Sequence, residues 1–121
     1  MTTGEVADRL VQLSRQGNTQ ACYDELYSPE IMSIEPEGYL DKTTFEGMEA
    51  VMLKLQQVAA RVKEVHNTKI GDPIVAGGHF ALRWKTSLTY HDSTHPAVID
   101  EIAVFEVKEG KIVKEQFFYQ P

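Results

Sequence analysis

From His79 to Tyr90 the chain changes character at every step: Phe80, Leu82, Trp84, Thr86, Leu88 and Tyr90 alternate with His79, Ala81, Arg83, Lys85, Ser87 and Thr89. A two-residue repeat of this length sets a strand with one face inside and one outside. It commits the second half of the chain to a sheet. Gly77-Gly78 just before it marks a hairpin turn. Val98 to Val107 reads as a further strand, Glu109-Gly110 as a turn, and Lys111 to Tyr119 as the last strand. Four long strands, at about residues 64–75, 79–91, 97–107 and 111–119, are joined by short connections and should pair antiparallel.

The first half follows a helical period instead. Val6, Leu10 and Leu13 recur at spacings of four and three, which gathers them on one helix face. Thr2 followed three residues later by Glu5 forms a capping box that starts this helix, and Gly17 ends it. Asn18 caps a shorter second helix that turns Ala21, Cys22 and Leu26 inward and stops at Ser28-Pro29. After a short apolar strand from Ile31 to Ile34, Phe45-Glu46-Gly47-Met48-Glu49-Ala50 opens a third helix. Its stripe of Met48, Val51, Met52, Leu55, Val58, Ala59 and Val62 is wide enough to lie on a sheet and too wide for a coiled-coil seam. The expected architecture is α+β: a cone-shaped, curved antiparallel sheet with three N-terminal helices packed on its concave side.

One domain accounts for residues 1–121, a length that buries roughly two thirds of the surface an unfolded chain exposes. The single cysteine, Cys22, excludes an intrachain disulfide and a cysteine-based zinc site. Twelve basic against 18 acidic residues give a net charge of −6 with no basic run, so nucleic acid is not an expected partner. Neither a signal-peptide pattern nor an apolar span is found. A cytoplasmic protein without a membrane partner is expected.

The stretch Ile31-Met32-Ser33-Ile34-Glu35-Pro36-Glu37-Gly38 brings a carboxylate to the end of a strand and then turns. A residue before proline is held extended, so Pro36 aims Glu35 off the strand end. At the mouth of an apolar cone a carboxylate sits where desolvation favours proton uptake, as a general base requires. The order of helices and strands, Glu35-Pro36, the Phe45 to Ala50 helix start and the Gly110-Lys111-Ile112-Val113 hairpin together resemble the SnoaL-like members of the nuclear transport factor 2-like superfamily, which has a cystatin-like fold and includes ketosteroid isomerases and polyketide cyclases.

That resemblance implies a role for Glu35 similar to the aspartate that abstracts a proton beside a carbonyl in ketosteroid isomerases. The tyrosine those enzymes carry on the first helix is matched here by Leu10, so their full apparatus is not intact. Their second acid falls near Asp100 and Glu101. Neighbours on a strand face opposite ways, and Glu101 shares its parity with Ala103, Phe105 and Val107. Candidate ligand contacts are Tyr39, Met52, His66, Trp84, Phe105 and Phe118. Arg83 lacks same-face carboxylates on its own strand, which speaks against an epoxide-hydrolase set. His91 and His95 flank Asp-Ser-Thr and precede Pro96, so their spacing belongs to a loop rather than to a metal site. The expectation is a cofactor-independent isomerase or cyclase acting on a small apolar carbonyl compound, with a non-catalytic small-ligand-binding or dimerisation domain as the alternative. Apolar residues on both parities of the strands also predict a homodimer through the convex sheet face.

Overall fold

The computed structural model describes residues 1–120. Helices α1 (Thr3–Arg15) and α2 (Thr19–Leu26) lead into β1 (Tyr27–Ile34) and the short β2 (Thr44–Glu46). Then come α3 (Met48–Arg61), β3 (Val62–Ile70), β4 (Ile74–Ala76), β5 (His79–Tyr90), β6 (Ala97–Lys108) and β7 (Lys111–Phe118). The sheet runs β2-β1-β7-β6-β5-β3, with β4 also pairing to β5. All three helices pack on it. No helix among the described residues is long and apolar enough to cross a membrane.

Local chemistry explains most boundaries. The Thr2 side chain accepts the Glu5 amide at 3.1 Å while the Glu5 carboxylate accepts the Thr2 amide at 2.9 Å, so the capping box forms. Gly17, at φ 73°, ends that turn. Asn18 precedes α2 but makes no side-chain cap. At the last hairpin Glu109 and Gly110 both take positive φ, 53° and 75°, the geometry of a tight turn whose twist matches antiparallel strands.

Among the departures from the sequence reading, β1 begins at Tyr27 and Val62 opens β3, and two further ones shape the sheet. Residues 64–75 do not make one strand: Gly71-Asp72-Pro73 interrupts it, because Pro73 offers no amide to the ladder. Arg15 bridges the gap, donating to the Ile70 carbonyl at 2.7 Å and to Asp72 at 3.0 Å. The partner of Ile70 is Trp84 and that of Ile74 is Ala81, so one extra residue enters the edge. The parity flips there, leaving Ile70 inside and Ile74 76% exposed. Second, the sheet is mixed. The four long strands pair antiparallel, but β1 lies parallel to β7, a direction no tight turn dictates because these strands are not consecutive.

The core lies between helices and sheet. Val6, Ala7, Leu10, Val11 and Leu13 of α1 face Phe80, Leu82, Ala103 and Phe105 of the central strands. Phe80 and Phe105 are register partners whose rings stack at 4.6 Å. Phe105→Ala should therefore destabilise the fold by about 3–5 kcal/mol, measured as a lowered urea midpoint with an unchanged slope.

Candidate active site

The residues Ile31, Ser33 and Glu35 share one parity. Ile31 and Ser33 are fully buried on β1, and Glu35, one step past its end, is buried with them. The Glu35 amide donates to the Thr43 carbonyl at 2.8 Å, which fixes the start of the loop that returns to β2. The chain turns after Pro36, with Gly38 at φ 90°.

Beneath Glu35 lies a second charge. Lys54 stands one turn beyond Val51 on the inner face of α3 and is as buried as its apolar neighbours. Its ammonium donates to Ser33 Oγ at 2.6 Å and Glu35 Oε2 at 3.2 Å, and lies 3.5 Å from Glu115 Oε2. It also sits 4.9 Å from the Phe117 ring centroid. Glu115, fully buried on β7, accepts from Tyr27 at 2.6 Å, Ser33 at 2.7 Å and Tyr23 at 3.4 Å. The parallel pairing of β1 and β7 makes this contact, since Ser33 and Glu115 are register partners. Burial, reinforced by the Glu115 charge, holds both Tyr23 and Tyr27 well above the usual phenol range, so they remain donors.

Tyr119 completes the first carboxylate, donating to Glu35 Oε1 at 2.6 Å. Burial and that bond push its hydroxyl upward. Tyr39 packs edge-on against Tyr119 with centroids 5.6 Å apart, and its hydroxyl lies 3.3 Å from that of Tyr90. These groups frame a cavity of about 290 Å³ lined by Glu35, Tyr39, Tyr90, Glu101, Phe117 and Tyr119. A smaller one of about 160 Å³, under Leu10, Cys22, Trp84 and Phe105, shares Glu101 and Phe117 with it.

Glu101 differs from the other acids. It projects from β6 opposite Trp84, between the two cavities. Burial, then the negative charge of Glu35, raises its carboxyl from 4.5 to about 8, with Lys54 pulling the other way. A carboxyl raised this far favours its protonated form near neutral pH, and in that form it has an O–H to donate.

The structure thus brings Glu35, Glu101 and Tyr39 together, with Trp84 and Phe105 in the adjoining cavity. It does not bring the others. Asp100 faces outward and pairs with Arg83 at 2.6 and 2.9 Å, since adjacent strand residues alternate; the carboxylate Arg83 lacked on its own strand comes from the neighbouring one. Phe118 faces outward opposite Ile102, and Phe117 and Tyr119 take the inward places. His66 is exposed on the edge strand, 2.7 Å from Thr89 Oγ1. Met52 packs on the core instead of lining the cavity.

Lys54 and Glu115 are site residues that the pattern reading passes over. Each leaves one signal: a lysine three residues after Val51 and four before Val58 within an apolar stripe, and a glutamate at the parity of Phe117 and Tyr119.

The sequence profile of the SnoaL-like domain matches residues 1–119. The chain belongs to this family. A candidate SnoaL-like polyketide cyclase of Mesorhizobium loti is 31% identical, with a TM-score of 0.90 over 98% of this chain and 100% of that one. An NTF2-like protein of Burkholderia thailandensis is 17% identical at a TM-score of 0.85, covering 99% of this chain and 92% of that one. A protein of Catenulispora acidiphila with a ketosteroid isomerase-like fold is 16% identical at 0.70, over 85% and 75%. These last two show the fold alone. No curated protein is similar enough to match.

The raised Glu101 links this SnoaL-like domain's stability to pH. Between 4.5 and about 8 the folded state holds a proton that the unfolded chain releases, so stability falls as pH rises through that window. Urea denaturation at pH 5 and pH 8 should show this decline, and Glu101→Gln should flatten it.

Proposed function

We propose that this domain is a cofactor-independent isomerase or cyclase that moves a proton next to the carbonyl of a small apolar compound, with Glu35 as the base. The observation that carries this reading is the pair of unlike carboxyls on one cavity: Glu35, held by Lys54 and Tyr119, and Glu101, kept protonated by burial and by the charge of Glu35. Separated protonation states of this kind divide acid from base. Glu35 would take a proton from the carbon beside the carbonyl, and the C–H electron pair would shift into the enol while Glu101 donates to the carbonyl oxygen. Return of the proton from Glu35 to another carbon of the conjugated enol, as the oxygen's proton goes back to Glu101, completes an isomerisation. Attack of the enol carbon on a second carbonyl of the same molecule, whose oxygen takes the proton from Glu35 while the enol oxygen's proton goes back to Glu101, completes a cyclisation. The 31% identity to a candidate polyketide cyclase supports the same class.

One observation favours a second reading, in which the cavity only holds a ligand. Both oxygens of Glu35 already accept a hydrogen bond, from Tyr119 and from Lys54, although each retains a further lone pair. The two readings separate by mutation. Under the catalytic one, Glu35→Gln keeps the fold and lowers proton-transfer turnover by about two to four powers of ten. Glu101→Gln costs less, since its amide still donates. Deuterium exchange into apolar ketones, followed by NMR, should also fall above about pH 8 as Glu101 loses its proton. Binding of such ketones without exchange at any pH assigns the ligand-holding role instead.

We also propose that two copies associate through the outer sheet face. Val98, Ile102 and Phe118 are 50–56% exposed there, and Ile102 and Phe118 are register partners beside the Arg83–Asp100 pair. Light scattering at micromolar concentration should report a dimer, and Ile102→Glu a monomer; a monomeric wild type overturns this.

A further inference from the structure

Lys54 is the only basic side chain lining the cavity among the described residues, and its charge is taken up from the floor side. Its ammonium donates to Ser33 and Glu35 at 2.6 and 3.2 Å and is ion-paired to Glu115 at 3.5 Å. It is 3% exposed. Around it are three carboxyl groups: Glu35 and Glu101 on the cavity wall, and Glu115 beneath. With Glu101 protonated, two carboxylates still face one ammonium, and the pocket floor carries a net negative charge.

The second of those carboxylates has no contact with the reaction assigned above. Glu115 is fully enclosed and fixed by Tyr23, Tyr27 and Ser33 as well as Lys54, so it cannot swing away to expose the ammonium. An anion entering the cavity meets Glu35 and the unbalanced floor, while Arg61, stacked on the Tyr39 ring at 5.3 Å, stands outside the lining. Like charges in a poorly hydrated site are strongly disfavoured. A neutral carbonyl oxygen, by contrast, meets the protonated Glu101.

We propose that Glu115 determines the ligand class of this cavity: by holding the charge of Lys54 in the floor, it makes the site accept uncharged carbonyl compounds and refuse carboxylates of the same shape. This deepens the function proposed above and rests on the cavity being a ligand site. Glu115 acts through Lys54 and is a positioning residue.

Acetophenone and benzoate make a matched pair, alike in outline and different in charge. Titrated by NMR at pH 7 into the full chain, acetophenone should bind at least about a hundredfold tighter than benzoate. Glu115→Gln removes the second carboxylate, and the gap should narrow about tenfold or more. Glu115→Asp retains the charge and should keep benzoate out. The same Gln variant should lower the Glu101 titration midpoint, because the Glu115 charge helps to raise it. Acetophenone and benzoate binding alike to the wild type, or an unchanged gap in a folded Glu115→Gln, overturns the proposal while leaving the proton-transfer reading intact. Binding of neither probe overturns both. If Glu115→Gln does not fold, the wild-type preference and the Glu115→Asp variant decide.

Discussion

The interior of this protein is organised around one ammonium group. Lys54 lies where its helix presents an apolar stripe to the sheet, and an unpaired ion there would cost several kcal/mol. Two carboxylates and a hydroxyl satisfy it. Carboxylates have more acceptor sites than one ammonium can fill, so they call for further donors: Tyr23, Tyr27 and Ser33 for Glu115, Tyr119 for Glu35. Among the described residues no fully buried side-chain nitrogen or oxygen is left without a partner. The polar core is thus a chain of consequences from Lys54. Removing any one partner leaves a buried charge under-satisfied, whereas removing an apolar neighbour leaves only a void.

Much of the fold is legible in the sequence because its strands are long. The alternation of β5 and β6 assigns Phe80, Leu82, Ala103 and Phe105 to one face without ambiguity, and Thr2 with Glu5 marks a helix start by chemistry alone. What is illegible is short or relational. Strands β2 and β4 are three residues each, too brief for a period to register. The register slip at Gly71-Asp72-Pro73 reverses the facing of Ile74, which no local pattern announces. The direction of β1 beside β7 depends on how the whole chain returns, not on any residue within either strand.

The site divides along the same line. Glu35 is readable because Pro36 fixes the backbone beside it, and Glu101 because its parity follows Phe105. Asp100 and Phe118, each adjacent to an inward residue, lose their place in the cavity to the alternation itself. Lys54 and Glu115 are hidden for another reason: a charged residue in a half-apolar pattern reads as the solvent edge of an element. Only the counter-charge identifies either as internal, and that partner lies on a distant segment.

The parallel seam between β1 and β7 has a temporal meaning as well as a geometric one. During synthesis Ser33, Glu35 and Lys54 emerge long before Glu115 and Tyr119, so the early chain carries a lysine and a glutamate with only each other and Ser33 for company. Non-local closures of this kind are slow to form. Docking of the final strand at once supplies the second carboxylate, seals the phenols beneath it and sets the wall of the cavity.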